Sequence, residues 1–161
     1  MSAPKAVVVV ASTRAASGMY DDTTGPILRD WLEGRGWTAE VVVLPDGDAI
    51  GEAIGDAVGR GVALVVSTGG TGVSPRDRTP EVTAPLLDRE LPGIAEELRR
   101  RGAARVPTAV LSRGLAGVAR RTLVINLPGS PGAVRTGIEV LDEIVDHVVD
   151  QLRGGDHERH D

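Results

Sequence analysis

Val7-Val8-Val9-Val10 is an unbroken β-branched run, the pattern of a strand buried on both faces of a sheet. Residues 41–44 repeat it and stop at Pro45-Asp46-Gly47. Residues 63–67 repeat it again and run into Thr68-Gly69-Gly70-Thr71-Gly72. Residues 108–111 and 123–127 read as two more strands. Between these runs the apolar period lengthens. Ile27, Leu28, Trp31 and Leu32 share one helical face, with Asp22, Thr23 or Thr24 as cap, Pro26 in the first turn and Gly34 or Gly36 at the end. Asp48 would cap a helix carrying Ile50, Ala53, Ile54, Ala57 and Val58. Its Gly51, Gly55 and Gly59 each weaken it by about 1 kcal/mol relative to alanine, unless they admit a close neighbour. Thr79 reads as an N-cap with Pro80 at N1 and Glu81 in the first turn. Another helix runs over about 92–101. Val134, Ile138, Leu141, Val145, Val148 and Leu152 recur at spacings of three and four, which predicts a long amphipathic C-terminal helix ended by Gly154-Gly155. Residues 153–161 are expected to form a flexible charged tail.

Strands in buried runs alternating with helices predict an α/β fold with a mostly parallel sheet. The 161 residues suit one domain, with its core over about 5–152. In such sheets ligands bind beyond the carboxyl ends of the strands. Chemistry is therefore sought in the loops that open at Ser12, Pro45, Thr68, Ser112 and Pro128.

Composition narrows the chemistry. There is no cysteine, hence no disulfide, thiolate nucleophile or zinc–thiolate site. The single lysine, Lys5, argues against a P-loop or Schiff-base lysine in mid-chain. All three histidines, His147, His157 and His160, fall near the C-terminus. Carboxylates, hydroxyls, arginines, backbone amides and any bound metal remain. A net charge of −5 and only three aromatic residues, Tyr20, Trp31 and Trp37, set nucleic acid aside. No apolar run approaches a membrane span or a signal segment, so no membrane partner and a cytoplasmic location are expected.

In Thr68-Gly69-Gly70-Thr71-Gly72, glycines at a strand exit let backbone N–H groups converge on an anion, and two threonine hydroxyls add donors. No lysine follows, so this is not a Walker loop, and the spacing is not the dinucleotide pattern. Asp77 lies between Arg76 and Arg78, a setting that favours an ionised carboxylate. Beside a phosphate site it would suit Mg²⁺, which takes one or two carboxylates plus substrate phosphates. Asp46 opens onto the same edge. Arg113, after Ser112, could grip a phosphate or carboxylate. Pro128-Gly129-Ser130 precedes the long helix, whose N-terminal amides suit an anion. Ser12 and Thr13 are secondary candidates, with Thr79 and Glu81. Each motif alone also has a plain reading as a tight turn, a solvated ion-pair cluster or cap chemistry. Trp31 is assigned to packing, and Asp142, Glu143, Asp146 and Asp150 to a solvated helix face.

Together these stretches resemble the MogA/MoaB family of molybdenum cofactor biosynthesis proteins, whose domain also occurs in gephyrin-type fusions. The carrying residues are Thr68-Gly69-Gly70-Thr71-Gly72, Arg76-Asp77, Thr79-Pro80-Glu81, Asp88-Arg89-Glu90, Pro92-Gly93, Pro107-Thr108, Leu111-Ser112-Arg113 and Asn126-Leu127-Pro128-Gly129-Ser130-Pro131. Asp21, Gly25 and Pro26 suit the family's first helix. The resemblance implies a three-layer α/β/α molybdopterin-binding domain, usually a homotrimer. It implies adenylylation of molybdopterin by Mg-ATP, giving molybdopterin-AMP and pyrophosphate, after which a downstream protein inserts molybdate. The family's important acidic positions fall on Asp46 and Asp77, and its ligand-binding loops on the glycine loop, Ser112 and Pro128-Gly129-Ser130. The alternatives are a non-catalytic molybdopterin carrier of the MoaB type and an assembly scaffold of the gephyrin kind.

Overall fold

The run of four valines forms the middle of strand β1 (Lys5–Ala11) in a computed structural model that describes residues 2–154. A short helix α1 (Thr13–Ala16) follows, then α2 (Thr24–Gly34), β2 (Thr38–Leu44), α3 (Asp48–Gly59) and β3 (Leu64–Thr68). Next come α4 (Thr79–Thr83), a 3₁₀ turn (Ala84–Leu86), β4 (Arg89–Glu90), α5 (Pro92–Arg105) and a second 3₁₀ turn (Pro107–Leu111). Strands β5 (Ala116–Ala119) and β6 (Thr122–Leu127) lead to the long helix α6 (Pro131–Leu152). Among these described residues no helix is long and apolar enough to cross a membrane.

The strands form one sheet in the order β2-β1-β3-β6-β5-β4. β2, β1, β3 and β6 are parallel, whereas β5 and β4 run antiparallel to their neighbours. Alternation along β1 sends Ala6, Val8 and Val10 to one face and Val7, Val9 and Ala11 to the other. The first face packs on Leu28 and Leu32 of α2, Ala95 of α5, and Val134, Leu141 and Val145 of α6. The second packs on Ile50, Ile54 and Ala57 of α3. The result is three layers, helices on both sides of the sheet. Each large apolar side chain taken fully from water contributes about 1.5–3 kcal/mol, so both faces are strongly driven to be covered.

Register aligns the parallel strands at their carboxyl ends. Ala11 pairs with Leu44, Val10 with Thr68, and Thr68 with Leu127. Ser12 N–H donates to the Leu44 carbonyl, and Gly69 N–H to the Leu127 carbonyl, each at 2.9 Å. Four loops far apart in sequence therefore start side by side.

Several expectations are corrected. Residues 108–111 form no strand: Pro107 opens a 3₁₀ turn there, against α5. The missing strand is β5, whose tight link to β6 puts Arg120 in a left-handed conformation (φ 54°), with its N–H donating to Asp88 Oδ2 at 2.6 Å. Helix α5 runs past residue 101 to Arg105. Thr79 is the first residue of α4 and does not cap it; its hydroxyl donates to the Gly69 carbonyl at 2.9 Å. Asp22 does cap α2, its Oδ1 accepting from the N–H groups of Thr24 and Gly25 at 3.1 and 3.0 Å. The acidic face of α6 is not simply solvated. Asp142 accepts from Trp31 Nε1 at 3.0 Å, Asp146 pairs with Arg35 at 2.7 Å, and Glu143 pairs with Arg101 at 2.9 Å. The charged tail beyond Gly154 lies outside the described residues.

Candidate functional site

The aligned strand ends open into a cleft of about 890 Å³. Ligand pockets commonly hold about 300–1,000 Å³. Ser12 and Thr13 enter its wall from the end of β1, Asp46 from the end of β2, Gly69 to Gly72 and Asp77 from the loop after β3, and Pro128 to Ser130 from the end of β6. Ser112 completes the group, its hydroxyl donating to Thr71 Oγ1 at 3.4 Å. These are sequence candidates that tertiary structure brings together.

The glycines of this loop have physical reasons. Gly69 and Gly70 have φ of +98° and +68°, a region that L side chains rarely enter. A Cβ on Gly69 would run into the Ala11 carbonyl oxygen. One on Gly70 would run into Thr79 Oγ1 and stand 3.2 Å from Asp46 Oδ1, and one on Gly72 would stand 2.8 Å from Asp77 Oδ2. Both carboxylates thus lie against the glycine loop, Asp46 at Gly70 and Asp77 at Gly72. Asp46 is held by Thr13 in a reciprocal pair. The Thr13 hydroxyl donates to Asp46 Oδ2 at 3.0 Å and accepts from Asp46 N–H at 3.2 Å.

Beside the glycine loop, where a Cβ on Gly129 would stand 3.2 Å from Gly69 Cα, α6 begins in the cleft. Ser130 caps it, Oγ accepting from Ala133 N–H at 3.1 Å, with Pro131 at its first turn. Gly132 and Ala133 line the cleft, so the positive end of a 22-residue helix faces the space. Hydroxyls, helix amides and loop glycines suit anions, whereas the two carboxylates suit a hard cation bound along with such anions. Among the described residues no group of three or more His, Cys, Asp or Glu side chains could hold a metal by itself.

Four candidates stand behind the wall instead of in it. Thr68 is buried, its hydroxyl donating to the Pro128 carbonyl at 2.8 Å. Thr79 is buried under the glycine loop. Arg113 and Glu81 form an ion pair, and the hydrogen-bonded guanidinium holds the Glu81 carboxyl below its usual range. The arginines flanking Asp77 diverge: Arg78 pairs with Asp48 at 3.1 Å, and Arg76 lines the cleft. Of the histidines, His147 is not in the cleft wall, and His157 and His160 lie outside the described residues.

The sequence reading missed Arg14 in α1, Arg105 and Val106 at the end of α5, Thr108 in the 3₁₀ turn, and Thr136 in α6. Arg105 donates to Thr136 Oγ1 at 2.9 Å and to Glu139 at 2.8 Å, closing that end of the cleft. Arg14 could have been found by its closeness to Ser12 and Thr13. Arg105 and Thr136 carry no local signal, since only the packing of α5 on α6 brings them there.

An α/β/α fold whose parallel strands open onto glycine backbone, a helix N-terminus and two carboxylates has the chemistry that suits a phosphate-bearing ligand. Comparison with known proteins narrows the class. Residues 7–147 match the family model described as "Probable molybdopterin binding domain", and the chain belongs to that family. It is 37% identical over 156 residues to the molybdenum cofactor biosynthesis bifunctional protein of Chlorobaculum tepidum, covering 96% of this chain and 50% of that one. The chain thus spans about half the length of that relative. It is 37% identical over 147 residues to the molybdopterin adenylyltransferase of Escherichia coli K12, covering 88% of this chain and 75% of that one. The solved structure of the molybdopterin biosynthesis Mog protein from Mycobacterium ulcerans superposes with a TM-score of 0.91 at 53% identity, covering 93% of this chain and 99% of that one.

Proposed function

We propose that this protein adenylylates molybdopterin with Mg-ATP, releasing pyrophosphate. The observation that carries the reading is the convergence of Asp46 and Asp77 on the glycine loop, in the cleft that the N-terminus of α6 faces. The phosphate of molybdopterin attacks the α-phosphorus of ATP. One P–O bond forms, the bond from the α-phosphorus to the bridging oxygen breaks, and pyrophosphate leaves with the electron pair. The attacking phosphate is already ionised, so no histidine or cysteine is needed, and catalysis is mostly positioning and charge neutralisation.

The glycine loop, Ser12, Ser112 and the Pro128-Gly129-Ser130 turn bind and orient the phosphates. Thr13 holds Asp46 in place. Asp77, with Asp46 beside the nucleotide, would hold Mg²⁺, and the hard oxygen donors fit that ion. When bound, Mg²⁺ neutralises charge on the phosphates. A homotrimer, a downstream molybdate-inserting protein and a cytoplasmic setting belong to the same proposal and rest on the family resemblance.

The test is anaerobic incubation with molybdopterin and Mg-ATP, following molybdopterin-AMP and pyrophosphate, with Asp77→Asn in parallel. The wild type is expected to form product and the variant to lose about 100-fold or more in turnover while keeping molybdopterin affinity. Tight pterin binding without product from either protein would identify a carrier and remove both aspartates from catalysis.

A further inference from the structure

The segment that carries Asp77 has little to pack against. Residues 73–76 are exposed, Val73 by 70%. Within it, Asp77 N–H donates to the Ser74 carbonyl at 2.9 Å, and at its base Thr79 N–H donates to the Gly70 carbonyl at 3.1 Å. Further ties come from a residue more than thirty positions away. Arg113 Nε donates to the Gly72 carbonyl at 2.8 Å, Nη2 to the Asp77 carbonyl at 2.9 Å, and Nη1 to the Glu81 carboxylate. The backbone N–H of Arg113 donates to the Thr71 carbonyl at 2.8 Å. One guanidinium therefore closes both ends of the 72–77 loop and anchors them to the first turn of α4.

We infer that Arg113 is a positioning residue that fixes the Asp77 loop at the cleft, and not a grip on the ligand. Three acceptors at 72, 77 and 81 lie around one planar group whose donors point outward in a fixed fork. A lysine ammonium is a point charge that cannot reproduce that fork. The bonds are charge-assisted and so stronger than neutral ones. Without them the loop regains the backbone entropy that closure removed. Glu81 holds the guanidinium from its third side. The kinetic part of the inference rests on the proposed adenylyl transfer, where misplacing a reacting group by about 1 Å costs on the order of 100-fold.

The experiment uses the full chain with Arg113→Lys, Arg113→Ala, Glu81→Gln, Asp77→Asn and the double variant Arg113→Lys/Asp77→Asn. It reads kcat, the KM for molybdopterin and for ATP, and hydrogen exchange of the bonded Asp77 and Thr79 amides. Arg113→Lys is expected to lower kcat by about 10- to 100-fold. Both KM values should stay within about twofold, because only transition-state positioning is lost. Exchange of the Asp77 and Thr79 amides should accelerate while the sheet core keeps its protection. The double variant should be no slower than Asp77→Asn alone, because Arg113 acts through Asp77. Raised KM at unchanged kcat, or losses that multiply in the double variant, would make Arg113 an independent ligand contact and overturn the inference. If Arg113→Ala does not fold, Arg113→Lys and Glu81→Gln carry the comparison. If the wild type forms no product, the adenylyl-transfer reading fails on its own, and the exchange measurement still decides. Unchanged protection of the Asp77 and Thr79 amides in Arg113→Lys discards the clamp.

Discussion

Asn126 lies on β6 with 2% of its surface exposed and makes three side-chain hydrogen bonds. Its Oδ1 accepts from Leu115 N–H at 3.1 Å, and its Nδ2 donates to Ser67 Oγ at 2.9 Å and Thr83 Oγ1 at 3.2 Å. The chain of bonds continues outward. Thr83 Oγ1 donates to the Thr79 carbonyl at 2.7 Å, and Thr79 Oγ1 to the Gly69 carbonyl at 2.9 Å. A buried polar network thus connects the centre of the sheet to the glycine loop. Asn126→Ala removes the hub. Three bonds at about 1 kcal/mol each, and about 1 kcal/mol more for the part-buried Leu115 amide left without its acceptor, give a loss of about 4 kcal/mol. That is a large fraction of an ordinary stability of about 5–15 kcal/mol. Urea unfolding followed by the fluorescence of Trp31 and Trp37 should show a lower midpoint at an unchanged m-value. Ser67→Ala combined with Asn126→Ala should cost less than the sum of the two, since they share a bond. A loss below about 1 kcal/mol, or strict additivity, would refute the network as a unit.

Gly70→Ala forces a side chain into a left-handed position beside Thr79 and Asp46. It should cost at least about 1–2 kcal/mol and weaken binding of molybdopterin and ATP; calorimetric affinities equal to the wild type would refute the steric argument. Hydrogen bonds from Arg100, then Arg101, hold the Glu97 carboxyl down to about 2, below its ordinary 4.5. Because the folded pKa is the lower one, the contribution is full above about pH 4.5 and is lost as pH falls toward 2. Glu97→Gln should therefore flatten the fall of melting temperature across that window, and an unchanged slope would exclude Glu97 as a source of acid sensitivity.

The sequence by itself determined the elements whose apolar period is long and clean. The valine run of β1 and the recurrences in α2, α3 and α6 act locally, so they are legible one window at a time. It also placed Asp46, the glycine loop and Pro128-Gly129-Ser130 at strand exits, where an α/β sheet presents its ligand loops. Tertiary structure decided the rest. β4 has two residues and β5 four, too short for a period; β5 exists because β6 offers an edge to pair with, and β4 because β5 then offers the next one. The turn before β6 uses Arg120-Arg121, without the asparagine–glycine signal of a tight hairpin. The 3₁₀ turn at 107–111 is held against α5, which no local preference specifies. Arg113 reads in sequence either as a grip on a phosphate or carboxylate or as ordinary loop chemistry. Its partners at 72, 77 and 81 lie 32 to 41 positions earlier in the chain, so these ties belong to the tertiary structure and to no single sequence window.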